Sequence, residues 1–503
     1  MIANDTSAGS TNRTPRLWTS LLVDAGSQIA NVSRSVRLTS ALLLELVITV
    51  YALALVVIMV VGGIDFGIVH SSDAGKPILV LLILIPLRIT LGGHSWLIEA
   101  GRHASRSRLA APFTKALVHL RVPPSVQDAA FAVLATRAAT FSIGFLANVL
   151  LVPQSQTRPF EMPFRSQRFA EIFAAWDSGW YFDIARQGYY FNPSGESSIA
   201  FFPLYPILMR AVSWPLGGTE KAIWLAGIGV SCAAFVLALV AVHRLTEKLL
   251  GSREAARRAV LYLAVFPFSL FFTRVYAESL FLLMSVLAVA RADDGKWWRA
   301  GWWGALATLT RPNGILIGVP LIVMALSAPR DWRRVALRLA ALLPIPVALA
   351  GFCAYTYTLS GDPLAWLSAQ VHWGYSLGHP PWEQLLKMIG RITKHGFYDY
   401  FFVSPMAAYR LFHGVVALIF LGLTPMIFSR LGVAMGAYVL VSLIVPLSGS
   451  VLEGVGRYAS VLFPVFMLVG SFESRRLQEG LLIVATLFLA LFVCLFVTGR
   501  PIY

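Results

Sequence analysis

The chain alternates long apolar runs with short polar segments, as proteins that cross a membrane many times do. After a polar start, the apolar runs occupy 39–62, 77–93, 127–151, 222–249, 255–273, 276–291, 297–310, 314–328, 335–358, 403–428, 431–447, 456–472 and 480–498. The pattern predicts an all-α polytopic membrane protein with about thirteen transmembrane helices. Several runs are shorter than the ~20 residues that a straight span needs.

Composition supports this class and limits the partners. Of 503 residues, 57% are hydrophobic and 13% are charged, whereas an ordinary soluble domain is ~25% charged. The net charge of +16 would suit a nucleic-acid binder, but the basic residues are spread over short loops between apolar runs. We therefore expect membrane lipids as partners and no nucleic acid.

Charge asymmetry predicts the orientation. Placing the N-terminus inside leaves 24 of the 41 Lys and Arg residues on the inner side and 15 on the outer side, with Arg88 and Arg137 inside spans. The positive-inside rule favours this orientation, which places 153–221 and 359–402 on the extracytoplasmic face of the cell membrane. The apolar piece 201–217 contains three prolines, and we interpret it as re-entrant or interfacial.

Two domains are expected. Residues 1–126 form an N-terminal extension with two spans and a basic cytoplasmic linker, and 127–503 form the main module. The chain has no long internal repeat, which weakly disfavours an inverted-repeat transporter.

The segment 176–206 combines acids and aromatic residues just outside a predicted span. If 173–188 is helical, Asp183 lies about 120° round the helix from Asp177, so the two acids do not face each other as a glycosidase pair would. A transferase that uses a sugar phosphate needs only one carboxylate, because the phosphate leaves as a stable anion. The alternative for Asp177 is a solvated or helix-capping role.

Aromatic residues surround this acid. Trp176, Trp180, Tyr181 and, in the run F-F-P-L-Y-P, Tyr205 offer faces that pack well on sugar rings. The alternative is an interfacial aromatic belt.

Further charged residues lie at predicted span ends. Arg274, Tyr276 and Glu278 interrupt one apolar run, and either they form part of a site or Arg274 and Glu278 pair at four-residue spacing. Arg311 in R-P-N-G and Arg457 in G-R-Y suit bidentate phosphate binding, or they are a turn residue and a span-end anchor.

The second outer segment contributes His372 and Trp373, which either meet a phosphate or sugar or are simply solvated. No P-loop, dinucleotide or H-E-x-x-H motif is present. No metal-ligand spacing is present either, and no cofactor is certain. A single Mg²⁺ or Mn²⁺ held by one or two acids and a phosphate would leave little trace in the sequence.

Several motifs together resemble the PIG-V family. In order they are W-D-S-x-W-Y, F-F-P-L-Y-P, F-P-x-x-x-F-F with Y-x-E-S-L-F, R-P-N-G, and G-R-Y before F-P. The resemblance covers roughly 127–475, and the family includes the GPI mannosyltransferases II and bacterial relatives. The basic, Ala-rich composition favours a bacterial member, in which GPI anchors are absent and the acceptor is open.

The resemblance implies a GT-C-type bundle whose first outer loop carries the catalytic acid–base position, here Asp177. It also implies α-mannosyl transfer from a polyprenyl-phosphate-mannose donor to a glycolipid or cell-envelope glycan. Asp183 matches no position of the family pattern, and 1–126 is an addition to the family plan. The alternatives are a lipid-linked-sugar flippase, which needs charges deep in its spans, and a scaffold, which does not need Asp177.

The orientation is open to test by cysteine substitution. We expect a cysteine at Ser194 to react with a membrane-impermeant reagent in intact cells and a cysteine at Ser105 to be protected. Labelling of position 105 with none at position 194 would overturn the orientation.

Overall fold

Helices separated by short turns form most of the secondary structure that the computed structural model describes. It describes residues 64–65, 70–71, 123–151, 172–327, 331–374, 376, 378–402, 405–500 and 502. The chain divides into two compact units, Met1–Arg121 and Val122–Tyr503. The predicted spans 39–62 and 77–93 and the basic linker lie outside the described residues.

The residues described in the first unit form a small β-hairpin pair. Strand β1 (Ile64–Asp65) pairs antiparallel with strand β2 (His70–Ser71), with Ile64 opposite Ser71. Each strand has only two residues. These four residues are not helical, which departs from the all-α prediction.

The described part of the second unit is helical. Its α-helices are α1 (Pro124–Leu150), α2 (Ser178–Gln187), α3 (Leu204–Ser213), α4 (Glu220–Leu250), α5 (Arg253–Val265), α6 (Glu278–Asp293), α7 (Trp297–Thr308), α8 (Gly318–Leu326), α9 (Trp332–Ala340), α10 (Pro344–Ser360), α11 (Ala365–Ser368), α12 (Glu383–His395), α13 (Phe397–Phe402), α14 (Pro405–Leu431), α15 (Val433–Leu447), α16 (Val455–Ser460), α17 (Phe463–Gly470) and α18 (Arg475–Val497). Its 3₁₀ helices are Ser198–Ala200, Trp214–Leu216, Pro267–Thr273, Pro312–Ile317 and Ala369–Trp373.

Fewer helices than predicted are long enough to span. Among the described residues, five are long and apolar enough to cross a membrane, or six if one bent pair counts as a span. The five comprise α1, α4, α9 with α10, α14 and α18. Several predicted spans instead become shorter helices, so the count of about thirteen is not confirmed.

The predicted span 255–273 is broken. Helix α5 ends at Val265 and the chain turns by 84° into the 3₁₀ helix Pro267–Thr273. Proline has no backbone N–H, and it keeps the preceding residue out of the helical region. The run 456–472 is likewise divided into α16 and α17, with Pro464 at the start of α17.

Arg137 of α1 fills the break in the 255–273 span. This buried side chain donates through Nη2 to the carbonyl of Ala264 at 2.7 Å and through Nη1 to the carbonyl of Ser269 at 3.0 Å. Carbonyls at a helix break need partners in an apolar surrounding. The charge that the sequence places inside a span therefore joins α1 to the bend.

One continuous apolar core joins the helices, and it contains buried aromatic rings from α4, the bend and the C-terminal helices. Within it α6 packs against α4 and α7, and α17 packs against α5. These contacts bring the start of α6 and the segment before α17 close together, where the charged residues lie.

Three segments from distant parts of the sequence are in contact. Gln370 Nε2 donates to the carbonyl of Ala200 at 3.2 Å, and Ser450 Oγ donates to the carbonyl of Gly374 at 2.6 Å. The 198–202, 369–379 and 448–453 segments therefore meet around the same end of the helices.

Removal of the Arg137 guanidinium should destabilise the fold. In Arg137→Met, two carbonyl oxygens lose a charged donor, and hydrogen bonds to charged groups contribute about 1.5–3 kcal/mol each. We expect a clear fall in the thermal unfolding midpoint of the purified protein. Arg475→Met is the matched control, because the Arg475 side chain is 90% exposed and surface ion pairs contribute little. Equal midpoints for the two variants would contradict this role.

Candidate functional site

Asp177 lies on a tight turn in front of α2. The preceding residue, Trp176, has φ = +55°, which is unusual for a large side chain and costs about 1–3 kcal/mol. The helix begins at Ser178 and not at the predicted residue 173. Asp177 therefore lies just outside the helix, where its carboxylate contacts Arg457 of α16.

Glu278 is the centre of the charged residues. It is the first residue of α6 and is fully buried. Its Oε1 accepts from Arg457 Nε at 2.8 Å and lies 2.7 Å from Arg457 Nη2 and 2.9 Å from Arg311 Nη1. Arg457 Nη1 also donates to Asp177 Oδ2 at 2.6 Å. We call these four residues the carboxylate–guanidinium chain.

The carboxylate–guanidinium chain balances two negative charges with two positive charges away from water. The side chains of Glu278, Arg311 and Arg457 are 0%, 9% and 11% exposed, whereas that of Asp177 is 26% exposed. Burial of single charges is expensive unless they are paired. The pairing therefore holds three ions inside the protein and leaves Asp177 as the member that solvent or a ligand reaches.

Aromatic rings support the two guanidinium groups. Arg457 Cζ lies 4.9 Å from the ring centres of Phe271 and Tyr276, and Arg311 Cζ lies 5.0 Å from that of Tyr458. Such cation–π contacts favour a buried cation. Phe271 and Tyr458 were not among the predicted site residues, although they lie within the F-P-x-x-x-F-F and G-R-Y motifs.

Two glycines allow the arginine-bearing turns to pack closely. A Cβ on Gly314 would lie 2.1 Å from the carbonyl oxygen of Ala307, and one on Gly456 would lie 2.0 Å from the ring of Phe268. Real Cβ atoms do not come so near. The glycines of R-P-N-G and G-R-Y are thus required by close approach beside Arg311 and Arg457.

The tyrosines of the site differ in what they contact. The Tyr276 hydroxyl donates to the carbonyl of Ala175 at 2.8 Å and so fixes the segment before Asp177. Tyr181 lies within electrostatic range of the carboxylate–guanidinium chain. Burial raises the pKa of its hydroxyl, and the negative charge of Glu278 raises it further.

The other predicted aromatic residues pack beside Tyr181. Tyr205 contacts the Tyr181 ring edge-on at 5.1 Å, and its hydroxyl donates to the carbonyl of Gly227 at 2.9 Å. Trp180 is buried and stacks on Phe201 at 5.8 Å. These contacts make Trp180 and Tyr205 the packing layer behind the turn.

Arg274 does not join the carboxylate–guanidinium chain. The alternative that it pairs with Glu278 at helical spacing is wrong, because α6 begins only at Glu278 and Arg274 precedes it in extended backbone. Its fully buried guanidinium lies 4.5 Å from the Phe496 ring centre and donates to the carbonyl of Leu270. A role for Arg274 in binding substrate stays a prediction.

The remaining predicted residues lie in other positions. His372 is exposed on the 3₁₀ helix Ala369–Trp373, and the side chain of Trp373 is outside what the structure describes. Asp183 lies on α2, where partial burial raises its pKa and Arg186 opposes that rise. Among the described residues no three His, Cys, Asp or Glu side chains form a group that could hold a metal. A metal held by one or two acids and a phosphate is not tested by this result.

The fold and the site define a polytopic membrane protein with a buried, charge-balanced cluster that opens at one carboxylate. Residues 131–327, about two fifths of the chain, match the family model described as Mannosyltransferase (PIG-V). The match includes Asp177, Glu278 and Arg311 and ends before Arg457.

Curated relatives share the same part of the chain. GPI mannosyltransferase 2 of Yarrowia lipolytica is 28% identical over 183 residues, which are 36% of this chain and 49% of that protein. GPI alpha-1,6-mannosyltransferase 2 of Cricetulus griseus is 28% identical over 234 residues, 41% of this chain and 47% of that protein. The chain thus spans less than half the length of these relatives.

Solved structures resemble the protein only distantly. The apo oligosaccharyltransferase of Archaeoglobus fulgidus aligns with a TM-score of 0.42 at 13% identity, covering 74% of this chain and 57% of its own. ArnT of Cupriavidus metallidurans, bound to undecaprenyl phosphate, aligns with a TM-score of 0.40 at 13% identity, covering 73% and 76%. Scores below 0.5 do not define the fold.

Proposed function

We propose that this protein transfers mannose from a polyprenyl-phosphate-mannose donor to a glycolipid or cell-envelope glycan on the outer face of the membrane. The observation that carries the proposal is the carboxylate–guanidinium chain, in which Asp177 alone is substantially exposed. The PIG-V family segment, which contains Asp177, supports it. The proposal includes a GT-C-type module over 127–503 with its active site in the first outer loop.

Asp177 acts as the general base in this mechanism. Its Oδ2 accepts from Arg457, and Oδ1 takes the proton of the acceptor hydroxyl as the hydroxyl oxygen attacks the anomeric carbon of the donor. The bond from that carbon to the phosphate oxygen breaks, and the lipid phosphate leaves as an anion. Attack opposite the leaving group inverts the anomeric carbon, and no second acid is needed.

Arg311 is the better placed arginine for the donor phosphate. All three nitrogens of Arg457 contact Asp177 or Glu278. Arg311 contacts Glu278 through Nη1 alone, and among the described residues it makes no aligned hydrogen bond. A guanidinium has five N–H donors, so Arg311 retains donors for a phosphate. Arg457 then positions the Asp177 carboxylate.

The other predicted contacts remain part of the proposal. Trp176 is adjacent to Asp177 in the sequence, and the Tyr181 hydroxyl lies within electrostatic range of Asp177. Both would pack on the sugar. His372 and Trp373 belong to the 369–379 segment that meets the first loop, and they would contact the acceptor or the donor head group.

Loss of the Asp177 carboxylate should abolish most transfer. Asp177→Asn keeps the size of the side chain and removes the base, and general base catalysis contributes roughly 10²–10⁴-fold. We expect mannosyl transfer from radiolabelled donor in membranes to fall by that factor, while donor binding is retained. Asp183→Asn, on the helix that Asp177 precedes, is the matched control and should retain more activity.

The outcomes separate the alternatives. Near-wild-type transfer by Asp177→Asn, or a greater loss in Asp183→Asn, would show that Asp177 is not the base. Donor lipid moved across the membrane without transfer of its mannose would instead favour a flippase.

Replacement of Arg311 should weaken donor binding. Arg311→Ala removes the phosphate contact, and Arg311→Lys keeps the charge but loses the planar pair of donors, so Lys should be a poor substitute. The measurement is donor affinity and turnover for both variants in detergent. If Arg311→Ala leaves both unchanged, Arg311 is a structural residue of the R-P-N-G turn.

A further inference from the structure

A second basic site lies away from the carboxylate–guanidinium chain. The start of α7 and the junction between α9 and α10 enclose a groove of about 380 Å³. Its lining includes Lys296, Trp297, Arg299 and Arg338. The orientation that the positive-inside rule favours predicts that 291–299 and 330–338 lie on the inner side of the membrane, and residues of both segments line the groove.

The groove has more positive than negative charge. Lys296 lies 4.0 Å from Asp294, but Asp294 is closer to Lys248 and Arg291, at 2.9 Å and 3.0 Å. Lys248 lowers the pKa of Asp294 by hydrogen bonding, so this acid is already compensated. In the part of the chain that the structure describes, no carboxylate lies within ion-pair distance of Arg299 or Arg338.

The shape of the groove is fixed. The Arg338 guanidinium lies 5.0 Å above the Trp297 ring, which holds one cation in place. A Cβ on Gly301 would lie only 1.9 Å from the carbonyl oxygen of Ala341, so α7 packs directly on the α9–α10 junction. The two walls therefore approach as closely as backbone allows.

Apolar residues continue from the rim of the groove. Trp298 and Trp302 lie four residues apart on α7 and are 62% and 63% exposed, and Leu337 on the opposite wall is 70% exposed. Tryptophan is enriched at the level of lipid head groups. A ligand with an anionic head and an apolar tail matches both the charge and the rim.

We propose that this groove binds the phosphodiester head group of an anionic phospholipid of the inner leaflet. Basic pockets between membrane helices on the cytoplasmic side are suited to such head groups. The phosphate contacts Arg299, Lys296 and Arg338, and the acyl chains lie along Trp298 and Trp302. This site is independent of the proposed transferase reaction.

Lipid selectivity of the purified, delipidated full-length protein tests the proposal. Dioleoyl phosphatidylglycerol or dioleoyl phosphatidylcholine is added in detergent, and bound lipid is measured by native mass spectrometry. We expect tighter binding of phosphatidylglycerol, and about tenfold weaker binding in Lys296→Gln/Arg299→Gln, since each basic residue near anionic lipid contributes severalfold. Both side chains are exposed, so the fold should persist.

A matched variant controls for net charge. Arg333→Gln/Arg476→Gln removes two exposed arginines, also predicted to be on the inner side, that do not line the groove; it should bind phosphatidylglycerol as the wild type does. Arg299→Lys should retain most binding. Equal affinity of the wild type for both lipids, equal losses in the two double variants, or displacement by excess inorganic phosphate would each overturn the proposal.

Discussion

The buried charge of Glu278 is the constraint on which the site depends. A fully buried carboxylate is tolerated only with close cationic partners, and here two arginines from distant parts of the chain, Arg311 and Arg457, supply them. To meet at one oxygen, the start of α6, the R-P-N-G turn and the start of α16 have to converge. Gly314 and Gly456 allow these segments to converge, because a side chain at either position would push an arginine-bearing turn away.

The same ion pairing explains why Asp177 has a defined orientation on an otherwise strained turn. Trp176 is held at positive φ, and such a conformation persists only where neighbouring contacts enforce it. The Tyr276 hydroxyl bond to Ala175 and the Arg457 contact to Asp177 supply those contacts on either side of Trp176. The strained turn is therefore held in place by the buried cluster and by Tyr276 beside it.

The sequence predicted which charged residues belong to the site better than it predicted which of them pair with each other. Asp177, Glu278, Arg311 and Arg457 were found because a charge beside an apolar run is unusual. Their pairing joins residues up to 280 positions apart, and no local spacing encodes it. The spacing rule pointed instead to Arg274, which the late start of α6 removes from the helix.

Span boundaries failed for a related reason. Hydropathy measures how apolar a run is, and the second half of the 255–273 run is mostly apolar. It does not measure whether the backbone stays helical, which Pro267 decides. The break became tolerable only because Arg137, on another helix, supplies donors to the freed carbonyls. Such compensation between helices is a property of the packed structure.

Arginines in this protein are distinguished by what they contact. Arg137 donates to backbone carbonyls, which are fixed, so its role is to hold the bend together. Arg311 and Arg457 face carboxylates in a balanced cluster, where an incoming anion has to compete with Glu278 or Asp177 for donors. Among the described residues, no carboxylate lies within ion-pair distance of Arg299. Hydropathy and spacing assign all four to span interiors or ends. Their contacts distinguish a structural arginine from those of the proposed reaction site and of the proposed lipid site.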